Sequence, residues 1–193
     1  GYNEIPLVPI MSHFQAHKTS EIILDSESLR LLLVSLGYSE SISYSFICPD
    51  KQALVYSNKE TVDLLNPLSK DLSQMRQGLM VGLLNACSFN LSRQVSKQKL
   101  FEIGLCFERS QSQLNQINRV AGLICGAEGE HDWSTAKKVF DYYDLKGDVE
   151  KLFGETLTQL TFKPCSNHAF HPGKSAEILK DGKNIGYLGE LHP

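Results

Sequence analysis

The stretch KLFEIGLCFERS, Lys99 to Ser110, alternates apolar with polar or small residues along its length. That period of two suits a β-strand and not a helix, whose faces repeat every 3.6 residues. Phe101, Ile103, Leu105 and Phe107 fall on one side, and Glu102, Gly104, Cys106 and Glu108 on the other. Such a strand needs neighbours for its backbone and a covering layer for its apolar side. One side reads as core. The other is either a solvated surface or the wall of a cleft, where Gly104 leaves room for a ligand or another backbone.

The flanking sequence supplies the required elements. Residues 1–20 hold Pro6, Pro9, His13 and His17 with few periodic apolar positions, and read as an extended lead-in segment. From Ser26 to Leu36, Leu29, Leu32, Leu33 and Leu36 recur at helical spacing; Asp25 or Ser26 is positioned to cap the helix and Gly37 to end it. SISYSFI places Ile42, Tyr44 and Phe46 on one side of a strand. Thr61 to Leu65 reads as a short strand entering an Asn66-Pro67 turn. An amphipathic helix follows from Gly78 to Arg93, with Leu79, Met80, Leu83, Leu84, Cys87 and Leu91 in one stripe.

Beyond the central strand, RVAGLICG at Arg119 to Gly126 is a second apolar run. A loop around Glu128 to Asp132 then leads into helical sequence through STAKKVFDYYDLKGDVEKLFG. The C-terminal segments QLTFKP and SAEILKDGKNIGYLGEL read as strands joined at Asp181-Gly182 by a tight hairpin. The expected class is α+β, a predominantly antiparallel sheet flanked by helices, because strands adjacent in sequence outnumber strand–helix–strand units.

Charge and cysteine usage narrow the function. A net charge of −3 gives no global attraction for nucleic acid, and the densest basic cluster, Arg93, Lys97 and Lys99, reads as a solvated helix end. Five scattered cysteines in apolar surroundings read as reduced thiols of a cytoplasmic protein. No run approaches the length of a membrane span.

Three constellations invite chemistry. Arg76, in NPLSKDLSQMRQGL, offers a bidentate fork for phosphate or carboxylate, or else a structural ion pair or hydrogen bonds to the carbonyls of the Asn66 to Ser69 turn. Asn66, Ser69 and Ser73 read as turn and cap formers. Cys165, His168 and His171 have the spacing C-x2-H-x2-H, but a zinc site needs convergence and a fourth ligand or an open position, and HPG reads as a loop leading into a strand. Asp141, Asp144 and Asp148 fall near one helical face, where Asp144 serves equally as a cap and Lys146 offsets their charge. No metal is expected at either place.

The run LFEIGLCFERS resembles motif 2 of class II aminoacyl-tRNA synthetases, a strand of the form FEIG…FR-x-E whose arginine meets the α-phosphate of ATP. Phe107 matches the aromatic position, whereas Glu108 stands where that arginine belongs and Ser110 where the glutamate belongs. A carboxylate repels a nucleotide phosphate at close range, so the resemblance implies the frame of the site without its phosphate chemistry. GYNEIP, NPLSKDLSQMRQGLMVGLL, FEIGLCF, DYYDLKGDVE, HPGKSAEI and IGYLGELHP together resemble the bacterial phenylalanyl-tRNA synthetase β subunit family, in its order and at its spacing.

The resemblance implies a degenerate, non-catalytic copy of the class II synthetase fold over residues 21–193, truncated at its C-terminus and preceded by the trailing end of another domain. It implies an α subunit as partner in an α2β2 assembly, with ATP, magnesium and tRNA(Phe) used by the whole enzyme and no cofactor held here. The family's magnesium-associated carboxylates belong upstream of Gly1. It further suggests that the helix bearing Leu29, Leu31, Leu32, Leu33, Val34 and Leu36, more apolar than one core stripe requires, forms part of a helical interface; a central core helix accounts for the same residues. Without the motif 2 arginine, the structural reading of Arg76 is preferred, and Asn66, Glu102 and Gly104 are grouped with it, and with Leu29, Leu32, Leu33 and Leu36, as structural or interface positions. The alternative is an independent nucleotide-binding ligase that replaces the missing cation with Arg76 or Arg109.

Overall fold

The computed structural model describes residues 2–4, 25–56, 60–110, 113–128 and 138–193. The lead-in segment expected at residues 1–20 lies outside them apart from a short 3-10 turn, Tyr2–Glu4. The described elements are α1 (Ser26–Ser35), β1 (Ser39–Glu40), β2 (Phe46–Ile47), α2 (Pro49–Val55), β3 (Gln74–Met75), α3 (Met80–Leu91), β4 (Gln98–Ser110), β5 (Gln113–Cys125), β6 (Ala127–Glu128), β7 (Lys138–Val139), α4 (Tyr142–Phe153), β8 (Leu160–Pro164), β9 (Phe170–Lys180) and β10 (Lys183–Leu191).

The central strand is β4, and its partner is antiparallel β5, in unbroken register from Gln98 opposite Cys125 to Ser110 opposite Gln113. The apolar run at Arg119 to Gly126 is therefore the second half of a longer strand. On the other edge of β4 the two-residue β1 pairs in parallel, an exception to the antiparallel expectation. A second sheet, in the order β10-β9-β8, is antiparallel throughout. Its β9–β10 hairpin turns at Asp181 and Gly182, both at positive φ (50° and 76°). This is the backbone that an Asp-Gly hairpin turn requires.

Helices cover both sides of the β4–β5 ribbon. On one side α3 packs Leu83 and Cys87 against Leu100 and Leu123. On the other, Leu33 of α1 and Tyr38 close over Phe101, with Leu29, Leu36, Ile103, Ile124 and Leu152 around them. The two sides of β4 are thus both interior near its start, which corrects the expectation of one core side and one open side. Leu32 is half-buried. The third cluster lies between α4 and the second sheet, around Ala176, Ile178 and Leu188.

Helix ends follow the sequence chemistry closely. Asp25 caps α1 by accepting a hydrogen bond from the Ser28 N–H, and Gly37 leaves the helix at φ +84°. Asp141 and Asp144 form a reciprocal capping box at the start of α4. This helix begins later than its sequence suggests: Lys138–Val139 pairs with Ala127–Glu128 instead, and residues 129–137 lie outside the description.

Two short strands are also corrected. In SISYSFI only Phe46–Ile47 joins a ladder, with Gln74–Met75. Ile42 and Tyr44 are exposed, because this segment gives the Ser43 N–H to the Glu102 carboxylate rather than to a neighbouring strand. Thr61 to Leu65 contributes one bridge, Asp63 to Gln74. HPG belongs to the start of β9 and is not a preceding loop.

Candidate functional site

The polar side of β4 converges on one arginine. Arg76 follows β3, and its Nη1 lies 2.5 Å from Glu102 Oε1, both side chains almost wholly buried. Its Nε donates to the Leu105 carbonyl at 2.8 Å, and its Nη1 also reaches the Ser43 hydroxyl at 3.2 Å. Ser43 Oγ in turn donates to Glu102 Oε2 at 2.8 Å. The backbone repeats the attachment, since the Arg76 N–H donates to the Ser45 carbonyl and the Phe107 N–H to the Arg76 carbonyl. A buried ion pair of this kind is helped by further hydrogen bonds to its members, here from Ser43 to Glu102 and from Arg76 to Ser43 and the Leu105 carbonyl.

Gly104 sits directly under this guanidinium. A methyl group at Gly104 would collide with Arg76 Nη2, so the room that its missing side chain leaves is taken by Arg76 from within the fold. The Arg76 side chain donates to Leu105, Ser43 and Glu102 and not to the turn carbonyls of Asn66 to Ser69. Asn66 and Ser69 are exposed in that turn, and Ser73 Oγ bonds back to the Lys70 carbonyl.

Farther along the same side, Glu108 forms an ion pair with Arg119 from β5. Arg119 lies opposite Gly104 in the register and extends along the ribbon to reach it. Cys106, fully buried between the two ion pairs, has its thiol pKa pushed up by burial despite both nearby guanidinium groups. Phe107 is half-buried on the opposite side, Arg109 is exposed, and Ser110 closes the strand opposite Gln113. The arrangement therefore places two carboxylates against two arginines. It offers mutual neutralisation, in an Arg76–Glu102 pair that is almost wholly buried and a Glu108–Arg119 pair that is partly exposed.

A cavity of about 680 Å3 opens beside this cluster, between the Ile42–Cys48 segment, Lys51 and the start of α3, with Arg76 in its wall. Next to Lys51, the buried Gln52 ties α2 to the segment bearing Arg76: its Nε2 donates to Gln74 and its Oε1 accepts from the Gln77 N–H. Sequence periodicity did not single out Ser43, Gln52 or Arg119. Arg119 was legible in principle, because it falls opposite Gly104 once the hairpin register is known.

A second polar cluster joins α1, β4 and α4. Asp148 accepts from Tyr38 Oη at 3.0 Å, Lys99 Nζ at 2.8 Å and Lys151 Nζ at 3.3 Å. Burial pushes the Asp148 carboxyl upward, but Lys99, Tyr38 and Lys151 more than offset this and hold it below its ordinary value. Burial, with the Asp148 charge beside it, drives the Tyr38 phenol upward. Lys99, grouped from sequence with Arg93 and Lys97, is thus an internal ion-pair partner.

Among the described residues, no group of three His, Cys, Asp or Glu side chains converges as a metal-binding set. His171 Nδ1 instead accepts the Gly173 N–H, and Asp144 pairs with Lys138. No helix among the described residues is long and apolar enough to cross a membrane.

Comparison with known proteins places this geometry in a family. The family profile described as "Phenylalanyl tRNA synthetase beta chain CLM domain" matches residues 5–193. The phenylalanine–tRNA ligase β subunit of Legionella pneumophila (strain Paris) is 40% identical over 194 residues, covering all of this chain and 24% of that protein. That of Hahella chejuensis is 39% identical over 193 residues, again covering all of this chain and 24% of the relative. The chain thus spans about a quarter of the length of these relatives. Among solved structures, a pyrrolysyl-tRNA synthetase from Desulfitobacterium hafniense shares the fold, with a TM-score of 0.58 at 14% identity over 83% of this chain and 53% of that one. The chain belongs to the phenylalanyl-tRNA synthetase β chain CLM domain family.

Proposed function

We propose that the chain is a non-catalytic structural domain of a cytoplasmic phenylalanyl-tRNA synthetase β subunit, supporting an α subunit that joins phenylalanine to tRNA(Phe) at the expense of ATP. In this reading residues 21–193 form a degenerate class II synthetase-like domain, residues 1–20 lead into it, and the assembly is α2β2. The observation that carries the proposal is the Glu108–Arg119 pair on the motif 2-like strand. A carboxylate occupies the position where that motif presents an arginine, and it holds the nearby cation for itself.

The residues present do not fit a nucleotide triphosphate or its magnesium. Arg76 is committed to Glu102, Ser43 and the Leu105 carbonyl, and Glu102 to Arg76 and Ser43. Freeing either buried partner leaves the other charge uncompensated. ATP and magnesium are therefore assigned to the whole enzyme and not to this domain. What the domain offers a partner is surface: on α1, Leu31 and Val34 are exposed on the side opposite Leu33 and Leu36.

Sedimentation of the chain alone and with a purified phenylalanyl-tRNA synthetase α subunit tests the reading. A co-sedimenting complex is expected, together with no saturable heat on titrating the chain with ATP and magnesium. Micromolar ATP binding by the chain alone would overturn the structural reading in favour of an independent nucleotide-binding ligase.

A further inference from the structure

The C-terminal end of α1 is held by a cation from elsewhere in the fold. The helix has no basic residue in its own last turn. Its final carbonyl groups carry the negative end of the helix dipole, which a nearby cation stabilises. Lys99 of β4 supplies that cation, with Nζ 3.4 Å from the Leu36 carbonyl. The same ammonium lies 5.0 Å from the Tyr38 ring centroid and 5.5 Å from that of Phe140. It is only 2.8 Å from Asp148 on α4, which also accepts the Tyr38 hydroxyl from the segment just beyond the helix. One buried carboxylate thereby fixes both the capping cation and the chain leaving α1.

We propose that Asp148 is a positioning residue for partner binding: through Lys99 and Tyr38 it sets the C-terminal half of α1, and with it the outward pair Leu31 and Val34. The inference rests on the reading that this side of α1 meets the α subunit. Val34 lies two residues before Leu36 and Leu31 one turn earlier, so a shift at the tethered end moves both. The core cluster under α1 is apolar and nondirectional, so the directional ties of the helix are polar: Arg30 to Glu40 of β1 in its first half, and the Lys99–Asp148–Tyr38 group at its C-terminal end. Asp148 thus contributes orientation to a helix whose burial is already secured by Leu29, Leu33 and Leu36.

The test places Asp148→Asn, Asp148→Glu, Lys99→Met and the Asp148→Asn/Lys99→Met double variant in the intact β subunit and measures affinity for the purified α subunit. Circular dichroism and thermal midpoints define the folded fraction. At equal folded fraction, Asp148→Asn is expected to weaken association about five- to tenfold, the scale of one oriented polar contact. Lys99→Met should do the same, the double variant no more than either, and Asp148→Glu should recover most of the loss. Leu188→Ala, in the core of the second sheet, is the control for stability alone and should leave the affinity of the folded protein unchanged. Unaltered affinity in folded Asp148→Asn, or an equal loss in Leu188→Ala, overturns the proposal. Leu31→Arg/Val34→Arg separates the two failures. If that variant abolishes association while Asp148→Asn does not affect it, positioning fails and the interface stands; if it leaves association intact, the interface reading fails and positioning falls with it.

Discussion

Arg76 and Glu102 meet at 2.5 Å in the interior, with Arg76 filling the space that Gly104 leaves on the polar side of β4. The strand pattern that suggests a ligand surface here serves to admit an arginine from the segment between β3 and α3. The Ser43 hydroxyl completes the arrangement by contacting both partners.

Truncating one member of this pair is expected to be costly. Arg76→Ala leaves Glu102 with a buried charge and only Ser43 for company, and should destabilise the fold by about 3–5 kcal/mol in urea unfolding. Arg76→Met/Glu102→Leu, which removes both charges, should recover most of that loss. A double variant no more stable than Arg76→Ala would show that the pair is not the main source of the cost.

Gly104→Ala introduces a methyl group against Arg76 Nη2. The guanidinium is pinned by Glu102, Ser43 and the Leu105 carbonyl, so it cannot swing aside without breaking a bond. A loss of about 1–3 kcal/mol is expected from overpacking. Denaturant midpoints of wild type and variant decide it; unchanged midpoints would mean that the arginine relocates freely.

Acid should act through Asp148. Its folded-state carboxyl titrates below the ordinary 3.8, so its contribution to stability is complete above that value and is lost as the pH falls through the lower folded value. In Asp148→Asn this component is absent, and stability measured from pH 6 down to pH 2 should fall less steeply below about pH 4. Parallel curves for wild type and variant would exclude Asp148 as a contributor.

Two glycines should respond in opposite directions. Gly147 lies inside α4 with open space around its missing Cβ, and Gly147→Ala should stabilise by about 0.5–1 kcal/mol, since alanine loses less backbone freedom on forming a helix. Gly126, between β5 and β6, has φ +93°, and a Cβ there would meet the Ser96 carbonyl. Gly126→Ala should cost about 2 kcal/mol or more through strain and overlap. Thermal midpoints moving in the same direction would contradict the local backbone assignments.

Elements governed by short-range pattern were legible before any coordinates. The alternation of Lys99 to Ser110 is β4, the leucines after Asp25 form α1, and Asp181-Gly182 is a hairpin turn. Each depends on residues within a few positions of one another. The failures share an opposite cause. Ile42 and Tyr44 alternate as a strand would, yet their segment is held by the distant Glu102 side chain. Likewise Lys138–Val139 continues a helical pattern but pairs as a strand with Ala127–Glu128.

Family membership and the presence of Glu108 on the alternating strand are properties of residue identity and order, fully present in the linear chain. The pairing of charges is not. Arg76 meets Glu102 across 26 positions, Lys99 meets Asp148 across 49, and Glu108 meets Arg119 across 11. An alternating strand looks the same whether its polar side faces water, a ligand or a buried arginine, because periodicity records which side chains share a face and nothing of what covers it. Ion-pair energy depends on distance and on exclusion of water, and both arise only when β4 is enclosed between α1 and α3 and the segment bearing Arg76 folds beneath it.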